Sequence, residues 1–263
     1  MPLPARAHLL PLLLLLAACA SRPPAKAPEY LLLGEVHDNP AAHDARLELL
    51  RGRIESGWRP TLAMEQFDRE NQGELDAALR ECPDAACVAK RAAPAKSGWQ
   101  WPLYEPIISL AMQYRLPILA ANLSRADASR VVKSGFGAAL DGDLVERYRL
   151  NQDLPAKLLA AQVEAVRDGH CGQLPETLLL PMAKAQIARD VLMADTLRHA
   201  PGDAALIAGN GHARGDIGVG FWLRRAGAIR VRAVGFLEAP GPGFDHASMV
   251  PRWPRPDPCA ALR

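Results

Sequence analysis

Short aliphatic runs in this chain end in groups that can move protons or bind metals. "YLLLG" (30–34) runs into Glu35, His37, Asp38 and Asn39; "TLAM" runs into Glu65; "PILAA" runs into Asn122; and "AALIAG" runs into "NGH", which ends in His212. Imidazole and carboxylate side by side can hold a divalent ion or exchange protons with a bound molecule. His37, Glu65 and His212 are the expected ligands of such an ion, and Glu35 joins them in acid–base work. One polar residue after an apolar run is ordinary, because the chain is turning into solvent. Four such ends in one molecule are less so. Glu65 follows "TLAM" directly, and a carboxylate at a buried strand end needs a partner. A glycine stands three residues before each histidine, at Gly34 and Gly209, where it lets the backbone turn sharply. His43, one turn into the next helix, faces either the same crevice or solvent.

The elements that must position these groups follow from the pattern. Five segments read as buried strands: 30–34, 61–65, 117–121, 204–209 and 229–236. The first four do not alternate polar with apolar, as expected of strands covered on both faces. Helical patterns lie between them. Asn39 caps one, with Pro40 at its first position; Leu47, Leu50 and Ile54 form its apolar stripe, and Gly57 ends it. Another covers 104–115, and two longer ones cover 153–169 and 181–200. Strands alternating with helices imply an α/β fold, a largely parallel sheet flanked by helices. Ligands of such sheets bind beyond the carboxyl ends of the strands, which is where Glu35, His37, Glu65, Asn122 and His212 fall. The segment 169–180 reads as a helical insertion or lid, and the Pro-rich tail from Ala239 as a surface wrap.

The whole chain bounds the function. It has 263 residues, 49% of them hydrophobic, and a formal charge of +2. That length can bury a sizeable core, and that charge gives no electrostatic case for binding nucleic acid. At the N-terminus, Arg6 precedes an apolar run from Leu9 to Leu16, too short to span a bilayer but suited to a secretory signal. Residues 1–18 are expected to be a signal peptide, 19–29 a Pro-rich tether and 30–263 one domain. "LAAC" resembles a bacterial lipobox, which implies cleavage before Cys19 and a lipid on its sulfur; an ordinary cut after "ACA" is the other reading. By the same resemblance, the lack of an aspartate after Cys19 favours the periplasmic face of the outer membrane. Four cysteines remain in an exported, oxidisable chain and allow three pairings. Cys82 and Cys87 can close a small loop, and Cys171 with Cys259 then follows by elimination. No Cys-x-x-Cys pair is present, which argues against a zinc ribbon.

The motifs "GEVHDNPAAH", "MEQF", W-x-W-x-x-Y-x-P (99–106), "ILAAN", "HCGQLP" (170–175), "AQIARDVLMA" (185–194) and "AGNGHAR" occur in this order. Together they resemble ChaN-type lipoproteins, the haem-binding uptake group of the Tiki/ChaN/erythromycin-esterase superfamily, from about residue 30 to the tail. The superfamily is marked by two G-x-x-H motifs and a strand-end glutamate, here Gly34 to His37, Gly209 to His212, and Glu65. The resemblance implies haem binding and iron uptake. It also implies hydrolysis as the alternative, since the esterase and Tiki relatives are hydrolases and the Tiki branch is metal-dependent.

Haem iron accepts histidine, methionine, cysteine or tyrosine, and the resemblance points to tyrosine. Tyr30 opens the first strand at the wrong end, and Tyr104 and Tyr114 lie in a core-facing helix. Tyr148 stands between Arg147 and Arg149, which can pair with propionates, and is the expected ligand; a solvent-facing turn is the other reading. His170 is a second ligand or a propionate partner, and Asn122 is expected to line the haem site. In the helix that follows, Gln186, Arg189, Asp190 and Met193 share one side, and the motif match turns Arg189 and Asp190 into the site. For hydrolysis, Glu35, His37, Glu65 and His212 would surround an ion or a water. His37 or Glu65 would take the proton, and Arg189 or the amides near 209–211 would stabilise the oxyanion. Neither G-x-S-x-G nor H-E-x-x-H appears. Haem is a large apolar plate, so a homodimer enclosing it is a reasonable expectation. A binding module without catalysis is the third reading.

Overall fold

The computed structural model describes residues 27–94, 97–257 and 259–260. Cys19, the signal segment and most of the tether lie outside the described residues. Six parallel strands form one sheet in the order β3-β2-β4-β1-β5-β6: β1 (Tyr30–Glu35), β2 (Thr61–Asp68), β3 (Ile118–Asn122), β4 (Ala204–Gly209), β5 (Val231–Leu237) and β6 (His246–Met249). The fold is α/β, as the alternation of patterns implies. Both faces of the sheet are covered, so every residue of β1 and β4 is buried. Leu31 and Leu33 pack into the core on one face, and Leu32 and Leu206 into the core on the other.

The helices are α1 (Pro40–Glu55), α2 (Gln72–Glu81), α3 (Ala85–Ala92), α4 (Glu105–Tyr114), α5 (Arg125–Ser134), α6 (Gly142–Arg147), α7 (Ala156–Gly169), α8 (Glu176–His199), α9 (Asn210–Ala213) and α10 (Val219–Arg225). Asn39 caps α1 as expected, its Oδ1 accepting from the Ala42 amide at 3.2 Å. The buried face of α1 is rotated from the expected stripe, however: it carries His43 and Arg46 alongside Leu50 and Ile54, while Leu47 is only partly buried. The expected insertion at 169–180 is the tip of a helical hairpin. Residues 170–175 are the connection, and α8 already begins at Glu176.

The chain leaves β1 through α1 to one face of the sheet, and leaves β4 through α9 and α10 to the other. Trp222 and Leu223 of α10 belong to the second core, Leu50 and Ile54 of α1 to the first. Neighbouring strands whose connections depart in opposite directions leave a crevice at their carboxyl ends. The tail does more than wrap the surface. It supplies β6 and then crosses the turn after β1, where Arg255 donates to Asp38 (2.7 Å) and to both oxygens of Glu238 (2.6 and 2.7 Å). The Cys171–Cys259 disulfide joins the tail to the α7–α8 connection, and Cys82–Cys87 joins α2 to α3. Among the described residues no helix is long and apolar enough to cross a membrane.

Candidate functional site

The end of β1 is built on a buried acid. Glu35 Oε1 accepts from His37 Nδ1 at 2.9 Å and from the Tyr104 hydroxyl at 3.0 Å, with the Arg46 guanidinium 3.6 Å away. Arg46 is wholly buried (0% exposed). Its Nη2 donates to His43 Nδ1 at 3.0 Å, which leaves His43 Nε2–H to donate to the His37 carbonyl at 3.1 Å. His43 is thus part of the support of the turn and not a surface group. Burial alone would raise Glu35; the His37 hydrogen bond and the Arg46 charge outweigh it and hold Glu35 low. Burial opposes charge on His37, but the hydrogen bond and charge of Glu35 hold that imidazole up at about 9. His37 is therefore a cation at neutral pH, with 50% of its side chain open to solvent.

The end of β4 repeats the device in a drier setting. His212 Nδ1 lies 2.6 Å from Asp190 Oδ1, and its Nε2 faces Glu65 Oε1 at 3.6 Å. Gln162 of α7 fixes Asp190 with a 3.0 Å bond to Oδ2 and ties itself to the Ile217 carbonyl at 2.8 Å. Glu65 accepts from the Gly209 amide at 2.8 Å, which is the partner its buried position demands. Burial opposes charge on His212, but the Glu65 and Asp190 carboxylates overcome it and raise the imidazole; burial also pushes Asp190 up. The His212 side chain is only 15% exposed.

The two motif glycines are needed for space, and not for a turn as the sequence suggested. Neither has positive φ. A Cβ on Gly209 would lie 2.5 Å from His37 Cε1, and one on Gly34 would lie 2.5 Å from Asn210 Oδ1 and 2.9 Å from Ala213 Cβ. The β1 and β4 ends can meet only because both positions lack a side chain.

Between these ends lies a crevice of about 560 Å³. His37 and His212 line it from the strand side, Gln162, Val166 and His170 from α7 and its end, and Asp190 from α8. His170 Nδ1 donates to the Val166 carbonyl at 2.8 Å, which fixes the ring; its Nε2 makes no hydrogen bond among the described residues. Asn122 and Arg189 meet at 3.1 Å beyond the ends of β2 and β3, with Asn122 donating to Asp68 at 2.8 Å. The structure thus brings Glu35, His37, Glu65, Asp190, His212 and His170 together, and places Asn122 and Arg189 in an adjoining cavity.

Tyr148 is not brought there. It is 3% exposed, edge-on to Trp222, with its hydroxyl 3.3 Å from Asp195, and burial pushes it up to about 12. Arg147 is engaged by Asp195 at 2.8 Å, and Arg149 lies 3.9 Å from Asp153. Among the described residues no group of three or more His, Cys, Asp or Glu is placed to hold a metal ion. The expected ion site of His37, Glu65 and His212 is therefore not found among them. Sequence reasoning missed Arg46 and Gln162, which no local pattern marks. It assigned Tyr104 to the core without seeing that its hydroxyl reaches Glu35, though the W-x-W-x-x-Y-x-P motif singled that residue out. Trp99 of the same motif packs edge-on to His37, with 4.9 Å between ring centroids.

A family model described as "Haem-binding uptake, Tiki superfamily, ChaN" matches residues 24–223. No curated protein matches the chain. Among solved structures, "Cofacial heme binding to ChaN of Campylobacter jejuni" is similar at 22% identity over 80% of this chain and 82% of that one, with a TM-score of 0.65. A mutant erythromycin esterase, EreC, in its open conformation matches at 15% identity over 80% of this chain and 70% of that one, with a TM-score of 0.46. The first likeness shows the fold.

Proposed function

Because the chain belongs to the ChaN family of haem-binding uptake proteins in the Tiki superfamily, we propose that it binds haem in the crevice between β1 and β4 and serves iron or haem acquisition. The observation that carries this reading is His170. Its Nδ1–H is spent on a backbone carbonyl, the arrangement that fixes ring and tautomer in metal-binding histidines. That leaves Nε2 as the atom that would hold a haem iron, at the wall of a cavity within the roughly 300–1,000 Å³ range of cofactor sites. Val166 and Ile217 offer apolar surface beside it. The residues present therefore fit the group. Bound haem would supply an iron centre with redox and ligand-exchange chemistry. The chain's own part is to hold and orient: His170 as ligand, His37 as a positive charge favouring an anionic guest, and Tyr104 and Arg46 keeping Glu35 and His37 in place. Tyr148, buried against Trp222, has no part in it.

Anchoring is part of the proposal. The lipobox-like "LAAC" supports a lipid on Cys19 that holds the domain at the periplasmic face of the outer membrane. The partly open crevice supports a second copy enclosing the haem, and the cofacial haem named for the Campylobacter jejuni structure supports the same reading. The test is a titration of ferric haem into the detergent-solubilised chain, followed by absorbance. Saturable binding of one haem per chain is expected; a linear, unsaturable rise would remove the reading.

A second reading is favoured by one arrangement, the Asp190–His212–Glu65 row. An imidazole oriented by one acid and facing another can pass a proton to or from a bound ester. Since Glu35 holds His37 in the charged form at neutral pH, the base would be Glu65 and not His37. A screen of ester substrates decides it. Turnover that disappears in Glu65→Gln supports hydrolysis, and no turnover by the wild-type chain ends it.

A further inference from the structure

A second cavity, also about 560 Å³, opens beyond the ends of β2 and β3. Arg125, the first residue of α5, and Arg189 of α8 line it, with Trp99 as an apolar wall and Asn122 and Asp68 at the strand ends. Many arginines here have an acidic partner: Arg69 pairs with Asp127, Arg147 with Asp195 and Arg255 with Glu238. Arg125 and Arg189 form no ion pair among the described residues. Arg189 is half-buried, and its one hydrogen bond goes to the neutral Asn122 carbonyl at 3.1 Å. Asn122 is held for that task, because its amide nitrogen donates to Asp68. A guanidinium has five N–H donors in a planar fork, so most of those on Arg189 remain unspent. A half-buried cation with no carboxylate in ion-pair contact has lost solvation that an anion would restore, and Asp68 meets it only through its charge. Asp68 is the one acid lining the cavity, against two arginines, and burial raises its carboxyl above the usual range.

The cavity adjoins the haem crevice. Trp99, which walls it, packs on His37, which lines the crevice, and Arg189 and Asp190 are consecutive residues of α8 that line one cavity each. A ligand in the crevice can therefore extend past the indole with its acidic arms toward the two arginines. Paired guanidinium N–H groups match the two oxygens of a carboxylate. We propose that the Arg125–Arg189 cavity is a carboxylate subsite that takes the propionates of haem held in the crevice. This rests on the haem reading above. It moves the propionate partners from the sequence-expected Arg147 and Arg149, the first of which is engaged by Asp195.

The test titrates ferric haem and its dimethyl ester, which lacks both carboxylates, into the detergent-solubilised full chain, followed by Soret absorbance. The wild type is compared with Arg189→Gln and with the double variant Arg125→Gln/Arg189→Gln. Wild type is expected to bind the diacid at least about 10-fold tighter than the ester, the scale of a charge-assisted hydrogen bond. The double variant is expected to lower haem affinity to that of the ester and to leave ester affinity unchanged. Equal wild-type affinity for haem and ester overturns the subsite while the haem reading stands, and this comparison needs no variant to fold. Haem affinity unchanged in a double variant with native circular dichroism does the same. No saturable binding of either compound by the wild type overturns the haem reading and the subsite with it.

Discussion

The ends of β1 and β4 carry the same G-x-x-H motif and the same device, a carboxylate on histidine Nδ1, yet they differ in access. At β1 the histidine is half open and its acid, Glu35, is buried beneath it. At β4 the histidine is 15% exposed and pinned between two acids. At β1 the acid belongs to the motif itself, two residues before the histidine, whereas at β4 it comes from α8, 22 residues before it. The open end presents a charge to a ligand, while the closed end keeps its imidazole between two acids.

Removing the acid from each end should separate the two. Asp190→Ala strips the buried His212 and Gln162 of their partner. Breaking a buried pair by removing one partner costs about 3–5 kcal/mol, and Glu65 still faces Nε2, so denaturant unfolding should show a loss toward the lower end of that range; a loss below about 1 kcal/mol would mean that the closed end is not closed.

The next test is at the glycines. Gly34→Ala drives a methyl into Asn210 and Ala213, which are packed against the sheet. It should cost about 1–3 kcal/mol by overpacking. Gly209→Ala meets the half-open His37 ring, which can swing aside. That variant should lose less stability but should break the His37–Glu35 bond. Equal losses of stability would erase the distinction between the two ends.

The smallest effect on stability, and the sharpest on charge, belongs to His37. Its folded pKa of about 9 lies above the ordinary 6.5. The stabilisation it provides is therefore full below about 6.5 and is lost as pH rises through about 9. NMR titration of its Cε1–H should show that midpoint, and Glu35→Gln should bring it down. A wild-type midpoint near 6.5 would show that Glu35 does not hold the proton. Any ligand drawn by this charge should bind more weakly above pH 9.

These contrasts mark what the sequence could and could not show. The strands were legible because runs such as "LLL" and "ALIA" are apolar on both faces, which the packing of Leu31, Leu32 and Leu33 into two cores explains. Their polar ends were legible for the same reason, as the first breaks in those runs. β6 was not, because "HASM" is four residues in a Pro-rich tail and pairs only along one edge. The buried face of α1 was misread because Arg46 and His43 look like surface residues until Glu35, eight or more positions earlier, supplies the compensating charge. Tyr148 looked like a ligand because its arginine neighbours were visible in sequence, while the Trp222 and Asp195 that enclose it are distant in the chain. Arg189 was placed at the site by motif, but its lack of an ion-pair contact appears only once the chain is folded.

The most direct test of the haem account is the spectrum of the ferric haem complex in wild type and in His170→Ala, taken at saturating haem. The account predicts a histidine-type spectrum in the wild type that is lost in His170→Ala, while Tyr148→Phe leaves it unchanged. A spectrum that survives His170→Ala and disappears in Tyr148→Phe would contradict it and place the iron away from the crevice.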